Sequence, residues 1–461
     1  MLMSLKYMDM KNSKLGLGMV LTFVVFVLAG IACTNYQIPG KNTQPKDNNC
    51  EICHTDYERL VDVHTPDTDP PVNGRGEEAP FYEPYDRVYL AGSGYDAFKA
   101  SGHYSVGCKG CHNGDSDATD KDLAHSGDFI KHPSTVYEEK CATCHVDITD
   151  NFSTSLHNGT GMKRVVALRS DLSGASEFDQ LPAHQIEGYN NNCASCHGTC
   201  GNCHVVRPPM GGGGLSEGHN FNKTPDMLNV CITCHTTGGG DHAFLGLALD
   251  SEPDVHLSAE GYDCLSCHDG HELHGNGTPV EQRYAYTELP DCESCHPNLG
   301  SANTYHSRHY DDFNCQVCHS QEYSNCGSCH INGDDARIPS YMGFKIAANP
   351  IPNVKEGYDF ALVARTSAAP DNWEMYGVDD YATFDVLPTY NYATPHNLLR
   401  LTDRTNVGGT GGCSVNCHIR DDNGTILNKE LYLFQSDLET WEIGASSGIT
   451  VDGKLPSYWP N

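Results

Sequence analysis

Ten times in this chain two cysteines separated by two residues are followed at once by a histidine, and an eleventh copy has three residues between its cysteines. The ten are Cys50/Cys53/His54, Cys108/Cys111/His112, Cys141/Cys144/His145, Cys193/Cys196/His197, Cys200/Cys203/His204, Cys231/Cys234/His235, Cys264/Cys267/His268, Cys292/Cys295/His296, Cys315/Cys318/His319 and Cys326/Cys329/His330. The eleventh is Cys413/Cys417/His418, with Ser414, Val415 and Asn416 in its wider loop. Two thiols at this spacing can form thioethers to the vinyl groups of a porphyrin, and the adjacent imidazole is placed to bind the iron. This is the attachment chemistry of haem c, and the eleven copies use 22 of the 23 cysteines. A disulfide framework gives no reason for a histidine after every pair. Zinc sites need a second cysteine pair per metal and do not need the histidine at that offset.

The histidines left over supply a second axial ligand. Of 25 histidines, fourteen lie outside the motifs: His64, His103, His125, His132, His157, His184, His219, His242, His256, His271, His274, His306, His309 and His396. Met162, Met210, Met227, Met342 and Met375 are the methionines beyond the first nineteen residues, too few to serve eleven irons. Bis-histidine ligation throughout is therefore expected, with the pairing unreadable because distal ligands come from distant segments. His103-Tyr104 precedes Cys108 and His309-Tyr310 precedes Cys315. His184 and His256 are each followed by Glu-Gly-Tyr and then a motif, in the manner of a loosely repeated packing unit.

Eleven sites leave little chain for a scaffold. The 429 residues after position 32 give 39 per motif, too few for an independent apolar core in each unit. The fold class expected is a haem-dominated multihaem cytochrome c, mostly coil with short α-helices and little β, its core formed by a contiguous haem chain. Forty-six glycines and 24 prolines point to loops between short helices that start at the motifs. Only Gly198 and Thr199 separate His197 from Cys200, and six residues separate His319 from Cys326, so those sites must be neighbours. An 82-residue gap separates His330 from Cys413. Within it, residues 335–412 can form a conventional packed subdomain around Trp373, Tyr376, Tyr381, Phe384, Tyr390 and Tyr392. The expected organisation is a signal peptide (1–32), a lipid-anchored tether (33–49), a ten-haem electron-transfer region (50–334) and a haem-poor C-terminal subdomain carrying the eleventh haem (335–461).

Residues 15–32 are almost wholly apolar and follow Lys6, Lys11 and Lys14, the pattern of a secretory leader. The odd cysteine, Cys33, ends the run Leu28-Ala29-Gly30-Ile31-Ala32 and resembles a bacterial lipoprotein cleavage site, with Gly30 where leucine is usual. Lipidation at Cys33 explains the unpaired thiol and the polar stretch after it. Ordinary signal cleavage or an uncleaved anchor are the alternatives. An exported outer-membrane lipoprotein or cell-surface location is expected, with the periplasm as the alternative. The net charge of −31 excludes nucleic acid as a partner. Asp115, Asp117, Asp120 and Asp122 do not match an EF-hand and read as a solvated loop. Gly211 to Gly214 lacks the Lys-Ser/Thr of a phosphate loop.

The leader, Cys33 and the eleven motifs together resemble the multihaem lipoprotein cytochromes c of metal-respiring bacteria. That resemblance implies electron relay across or along the outer surface. Its partners would be other cytochromes, a porin–cytochrome complex, metal oxides or further copies of the chain. Two other functions stay open. A weaker likeness to octahaem tetrathionate-reductase-type cytochromes rests on the close succession of Cys315–His319 and Cys326–His330 and on Leu387–His396; it implies reduction of a small sulfur or nitrogen oxyanion at one open haem. Eleven haems and the tight 193–204 pair depart from that pattern, and no C-x-x-C-K site of the kind seen in pentahaem nitrite reductases is present. The other is a nanowire-forming subunit. Relay without catalysis is the expectation the histidine surplus favours, with His396 the candidate distal ligand most open to question.

Overall fold

The computed structural model describes residues 49–67, 82–192, 198–208, 212–235, 252–280, 282–324, 341–342, 344–365, 370–371, 377–378, 381–406 and 413–460. Trp373, Tyr376 and everything before Asn49, including the leader and Cys33, lie outside them. None of the described helices is long and apolar enough to cross a membrane.

Short helices dominate, the longest being Thr160–Arg169 and Ala183–Asn192 with ten residues each. Many begin at or within the cysteine motifs: Asn49–His54, Gly107–His112, Cys200–His204, Ile232–His235, Cys292–Cys295, Cys315–His319 and Cys413–Cys417. The spacing makes this economical. Positions i, i+3 and i+4 fall on one helical face, so a single turn presents both thiols and the imidazole together. Several turns are capped by their own sequence. Asp263 and Ser266 form a reciprocal capping box before the seventh motif, Thr199 and Asn202 another at the fifth, and Asp291 accepts from the Glu293 amide at the eighth.

Among the described residues, seven short strands follow the ninth motif: β1 (Tyr323–Ser324), β2 (Tyr341–Met342), β3 (Phe344–Ala348), β4 (Phe360–Arg365), β5 (Tyr390–Tyr392), β6 (Arg420–Asp422) and β7 (Thr425–Leu427). Strands β3, β4 and β5 form an antiparallel sheet in which Ile346 faces Leu362 and Val363 faces Tyr392. Alternation along the strands buries both faces. Phe344, Ile346, Leu362 and Ala364 pack with Val317, Tyr432 and Val451, while Ala347, Val363 and Tyr390 pack with Leu433 and Ile449. The segment after the last motif closes this core, through the Leu433 amide on the Ile346 carbonyl. A conventional apolar core therefore does form here, but residues on both sides of the expected 335–412 span build it.

Tyr381 and Phe384 belong to a second cluster with Val166, Phe178, Leu181 and Tyr189. Arg169 lies over the Phe384 ring and Thr383 bonds the Leu168 carbonyl. The segment between the third and fourth motifs is thus packed against the expected C-terminal subdomain, and Asn49–Asn461 forms one compact unit across the boundary expected at 334/335. Elsewhere between the first and ninth motifs, buried apolar side chains such as Leu60, Leu90, Phe152, Ile232 and Tyr286 are scattered.

Candidate haem-attachment sites

Each of the nine motif histidines in the described residues faces one histidine from outside the motifs. The pairs are His54–His125 (ring centroids 6.1 Å), His112–His219 (6.3 Å), His145–His103 (6.0 Å), His204–His274 (6.0 Å) and His235–His157 (5.8 Å). They continue with His268–His396 (6.0 Å), His296–His256 (6.0 Å), His319–His306 (6.2 Å) and His418–His309 (6.1 Å). The interplanar angles range from 21° to 88°, so the constant quantity is the separation rather than a stacking geometry. Two imidazoles on opposite sides of one metal, each with a bond of about 2 Å and its ring centre about 1.1 Å further on, lie about 6.2 Å apart. No motif histidine is paired with another motif histidine among these contacts.

A carbonyl behind the ring fixes which nitrogen faces the partner. His54 Nδ1 bonds the Val88 carbonyl at 3.0 Å, His112 Nδ1 that of Ile130 at 2.8 Å, His204 Nδ1 that of Asn222 at 2.6 Å and His319 Nδ1 that of Leu399 at 3.1 Å. A carbonyl only accepts, so Nδ1 carries the proton and Nε2 keeps its lone pair. Ile130, Asn222 and Leu399 also donate their own amides to the carbonyl of the same histidine, at 2.7 to 2.8 Å. One residue thereby clamps both the backbone and the ring of each. Among the non-motif partners, His125 Nδ1 bonds the Lys121 carbonyl at 2.8 Å. Sequence reasoning missed these clamps. A trace is present in Phe129-Ile130-Lys131 and Phe221-Asn222-Lys223, which stand at equal distances beyond His112 and His204.

Burial favours the neutral, ligating form. It lowers His54, His103, His112, His157, His274, His319 and His418 from the ordinary imidazole range, and it brings His219 to about 4. His268 is raised, because its Nδ1 bonds the Glu272 carboxylate at 2.7 Å. Among the described residues no group of three or more His, Cys, Asp or Glu converges as a conventional all-protein metal site. Two imidazoles and a porphyrin complete iron's coordination without one, so the donor set fits haem c.

The motif cysteines Cys50, Cys53, Cys108, Cys111, Cys141, Cys144, Cys200, Cys203, Cys231, Cys234, Cys264, Cys267, Cys292, Cys295, Cys315, Cys318 and Cys417 are all partly or fully exposed, within reach of a group bound at the surface between segments. Cys413 lies in the last motif's helix. Cys193, Cys196, His197, Cys326, Cys329, His330 and His242 lie outside the described residues.

The eleventh motif, with its wider loop, has the same two-histidine arrangement as the eight other motifs in the described residues, and Trp459 packs on His418 at 4.9 Å. His396 faces His268. His103 and His309 face His145 and His418 rather than the motifs they immediately precede. The resemblance between the His184 and His256 segments stops at sequence, since His256 faces His296 while His184 is exposed. His64, His132, His184 and His271 face no second imidazole among the described residues, although His64 shares the Nδ1-to-carbonyl bond, at 2.6 Å to Val61. The acidic loop is locally satisfied, with Asp120 capping Lys121–Ala124 and Asp115 accepting from the Asp117 amide.

Comparison with known proteins finds no matching family model, no curated relative and no similar solved structure.

Proposed function

We propose that this protein is an electron carrier holding eleven covalently attached haems c, each by two motif cysteines and a motif histidine, with non-motif histidines as second axial ligands. The observation that carries this is the pairing of nine motif histidines with nine non-motif histidines at a separation matching two imidazoles on one iron. Bound there, haem iron supplies one-electron ferric/ferrous chemistry. The chain's own residues do the rest. The cysteines fix each macrocycle and the backbone clamps on Nδ1 hold the ligating nitrogen in place. With haem bound, the second imidazole would take up the place a substrate needs, which favours relay over oxyanion reduction at these nine sites.

The leader and Cys33 extend the proposal to export and lipid attachment at the outer membrane or cell surface, with other redox proteins as partners. The acidic surface supports steering of cationic partners. The decisive experiment is intact-mass analysis of the exported protein together with an EPR spectrum of its oxidised form. Eleven covalent haem additions and entirely low-spin signals are expected. Unmodified thiols would overturn the cofactor assignment, and a substantial high-spin fraction in fully loaded protein would favour a reductase. Acyl labelling that is lost in Cys33→Ser tests the anchor separately.

A further inference from the structure

Beyond pairing the histidines, the fold brings the motifs into contact with one another in a definite succession. The Cys50 thiol hydrogen-bonds that of Cys108, and Tyr104, just before Cys108, donates to both oxygens of Glu51 inside the first motif. From the second motif to the third, Lys140, adjoining Cys141, reaches the Gly110 carbonyl at 3.3 Å and the Asn113 side chain at 2.5 Å. Cys141 then hydrogen-bonds Cys200 of the fifth motif. Ser134 and Thr199 bond at 2.6 Å beside that contact, and a Cβ on Gly201 would stand 2.5 Å from the Ser134 hydroxyl.

The contacts continue in the same manner. The Cys200–His204 helix of the fifth motif lies against the Met227–Cys231 turn that opens the sixth, and the Cys231 thiol is within hydrogen-bond reach of Cys264 of the seventh. Cys267 has Cys295 and Cys292 of the eighth as neighbours. Cys292 hydrogen-bonds Cys315 of the ninth. Finally Cys318 and Cys417 pack on one apolar cluster, where the Tyr432 hydroxyl meets the Cys417 carbonyl at 3.0 Å. Each motif in this succession lies against, or within electrostatic reach of, the one before and the one after. The fourth and tenth motifs lie outside the described residues.

We propose that the described sites form one unbranched series, first–second–third–fifth–sixth–seventh–eighth–ninth–eleventh, and that electrons cross the protein between a port at the His54–His125 site and a port at the His309–His418 site. The series rests on the function proposed above. One electron moves at each step, so that a ferric site is reduced as the ferrous site behind it is oxidised. An external one-electron donor supplies the electron at one port, and an external one-electron acceptor removes it at the other.

Tyr458 gives a handle on the second port, being 82% exposed and adjoining the Trp459 that packs on His418. The full-length protein carrying Cys33→Ser and Tyr458→Cys is tethered to a gold electrode, and the rapidly exchanged charge per molecule is integrated. Motifs are removed one at a time by paired Cys→Ser replacement, with intact mass confirming one haem fewer in each variant. Removing the sixth (Cys231→Ser, Cys234→Ser) should abolish fast exchange with every site before it. Removing the first should cost that site alone, and removing the fourth (Cys193→Ser, Cys196→Ser) should leave the rest connected. A sixth-motif variant that loses only its own charge would overturn the series, as would a fourth-motif variant that disconnects the first three. A particle image placing the fourth haem between the third and fifth would overturn it independently. Where the sixth-motif variant does not fold, the ninth-motif variant replaces it, with only the eleventh site and any site beside it left in fast exchange. Absence of covalent haem would instead overturn the function itself.

Discussion

Tyr310 donates its hydroxyl to the Glu293 carboxylate, joining the residue pair that precedes the ninth motif to the second position of the eighth. Tyr104 and Glu51 stand in the same relation between the second and first motifs. In both places the thiols of the two motifs also touch, Cys292 with Cys315 and Cys50 with Cys108. The His-Tyr doublets at 103–104 and 309–310 thus serve two ends at once. The tyrosine ties adjacent motifs together while its histidine neighbour reaches a third one. The hydrogen bond to Glu293 pushes Tyr310 up to about 12, so the phenol remains a donor at any physiological pH.

On the proposed function, a carboxylate between the eighth and ninth attachment motifs should set the potentials of the haems held there. A fixed negative charge favours the ferric form, so Glu293→Gln should raise the potentials of the eighth and ninth sites. For unit charges about 10 Å apart in an effective dielectric near 20, the unscreened limit is roughly 70 mV, and solvent exposure reduces it to a few tens of millivolts. Spectropotentiometric titration of the variant against the parent checks the direction. Potentials that fall, or do not move, would contradict the placement of this carboxylate.

Removing a non-motif imidazole should open one site and leave the others as they were. His274 lies beside His204, whose own ring stays clamped by Asn222. In His274→Ala the attachment cysteines are untouched, so covalent haem content should be unchanged while one haem per molecule becomes high-spin. Resonance Raman and EPR spectra read this directly. His396→Ala should do the same at the seventh site, where the resemblance to reductases made that histidine the most open to question. A variant that stays wholly low-spin would show that the paired rings are not both ligands.

The motif residues were legible because attachment chemistry requires fixed residue types at fixed spacing. The pairing was not, because it depends on how loops fold back. His103 stands five residues before Cys108 yet faces His145, and His396 reaches His268 from beyond the sheet. The clamps by Ile130, Asn222 and Leu399 use backbone atoms, which any residue type supplies, so no side-chain signature announces them. A packed subdomain was expected over 335–412, but its sheet was not. Phe360 to Ala364 is an unbroken apolar run of the kind buried on both faces, but the strands and the segment closing over them, Tyr432 to Val451, lie on opposite sides of the eleventh motif. Composition alone could not join them.

That sheet contains a charge pair whose loss should be costly. Glu442 is fully buried and receives the Arg365 guanidinium at 2.7 Å, with the Thr389 hydroxyl and the Glu439 amide as further donors. Glu442→Ala would leave a largely buried guanidinium without its counter-charge, at a cost of about 3–5 kcal/mol. Denaturant unfolding followed by tryptophan fluorescence and by the Soret band should show the carboxy-terminal core melting early. Thr389→Val, which removes one neutral donor, should cost about 1–3 kcal/mol. Equal stability of Glu442→Ala and the parent would sink this account of the core.

The widened eleventh motif needs more support than the others, and Asn428 provides it. Its side-chain amide donates to the carbonyls of Val415, inside the extra loop, and of His418, the motif histidine, both at 2.8 Å. Its backbone sits at φ 65°, a conformation asparagine tolerates better than most residues. Asn428→Ala loses both bonds and strains the turn, whereas Asn428→Gly loses the bonds and keeps the turn relaxed. Two lost hydrogen bonds at about 1 kcal/mol each set the scale for both variants, and the backbone adds about 1 kcal/mol for alanine alone. The last site should therefore loosen in the order parent, glycine, alanine, read as progressive broadening of one low-spin EPR signal with the haem count unchanged. Indistinguishable glycine and alanine variants would mean that the side-chain bonds, and not the turn, hold the loop.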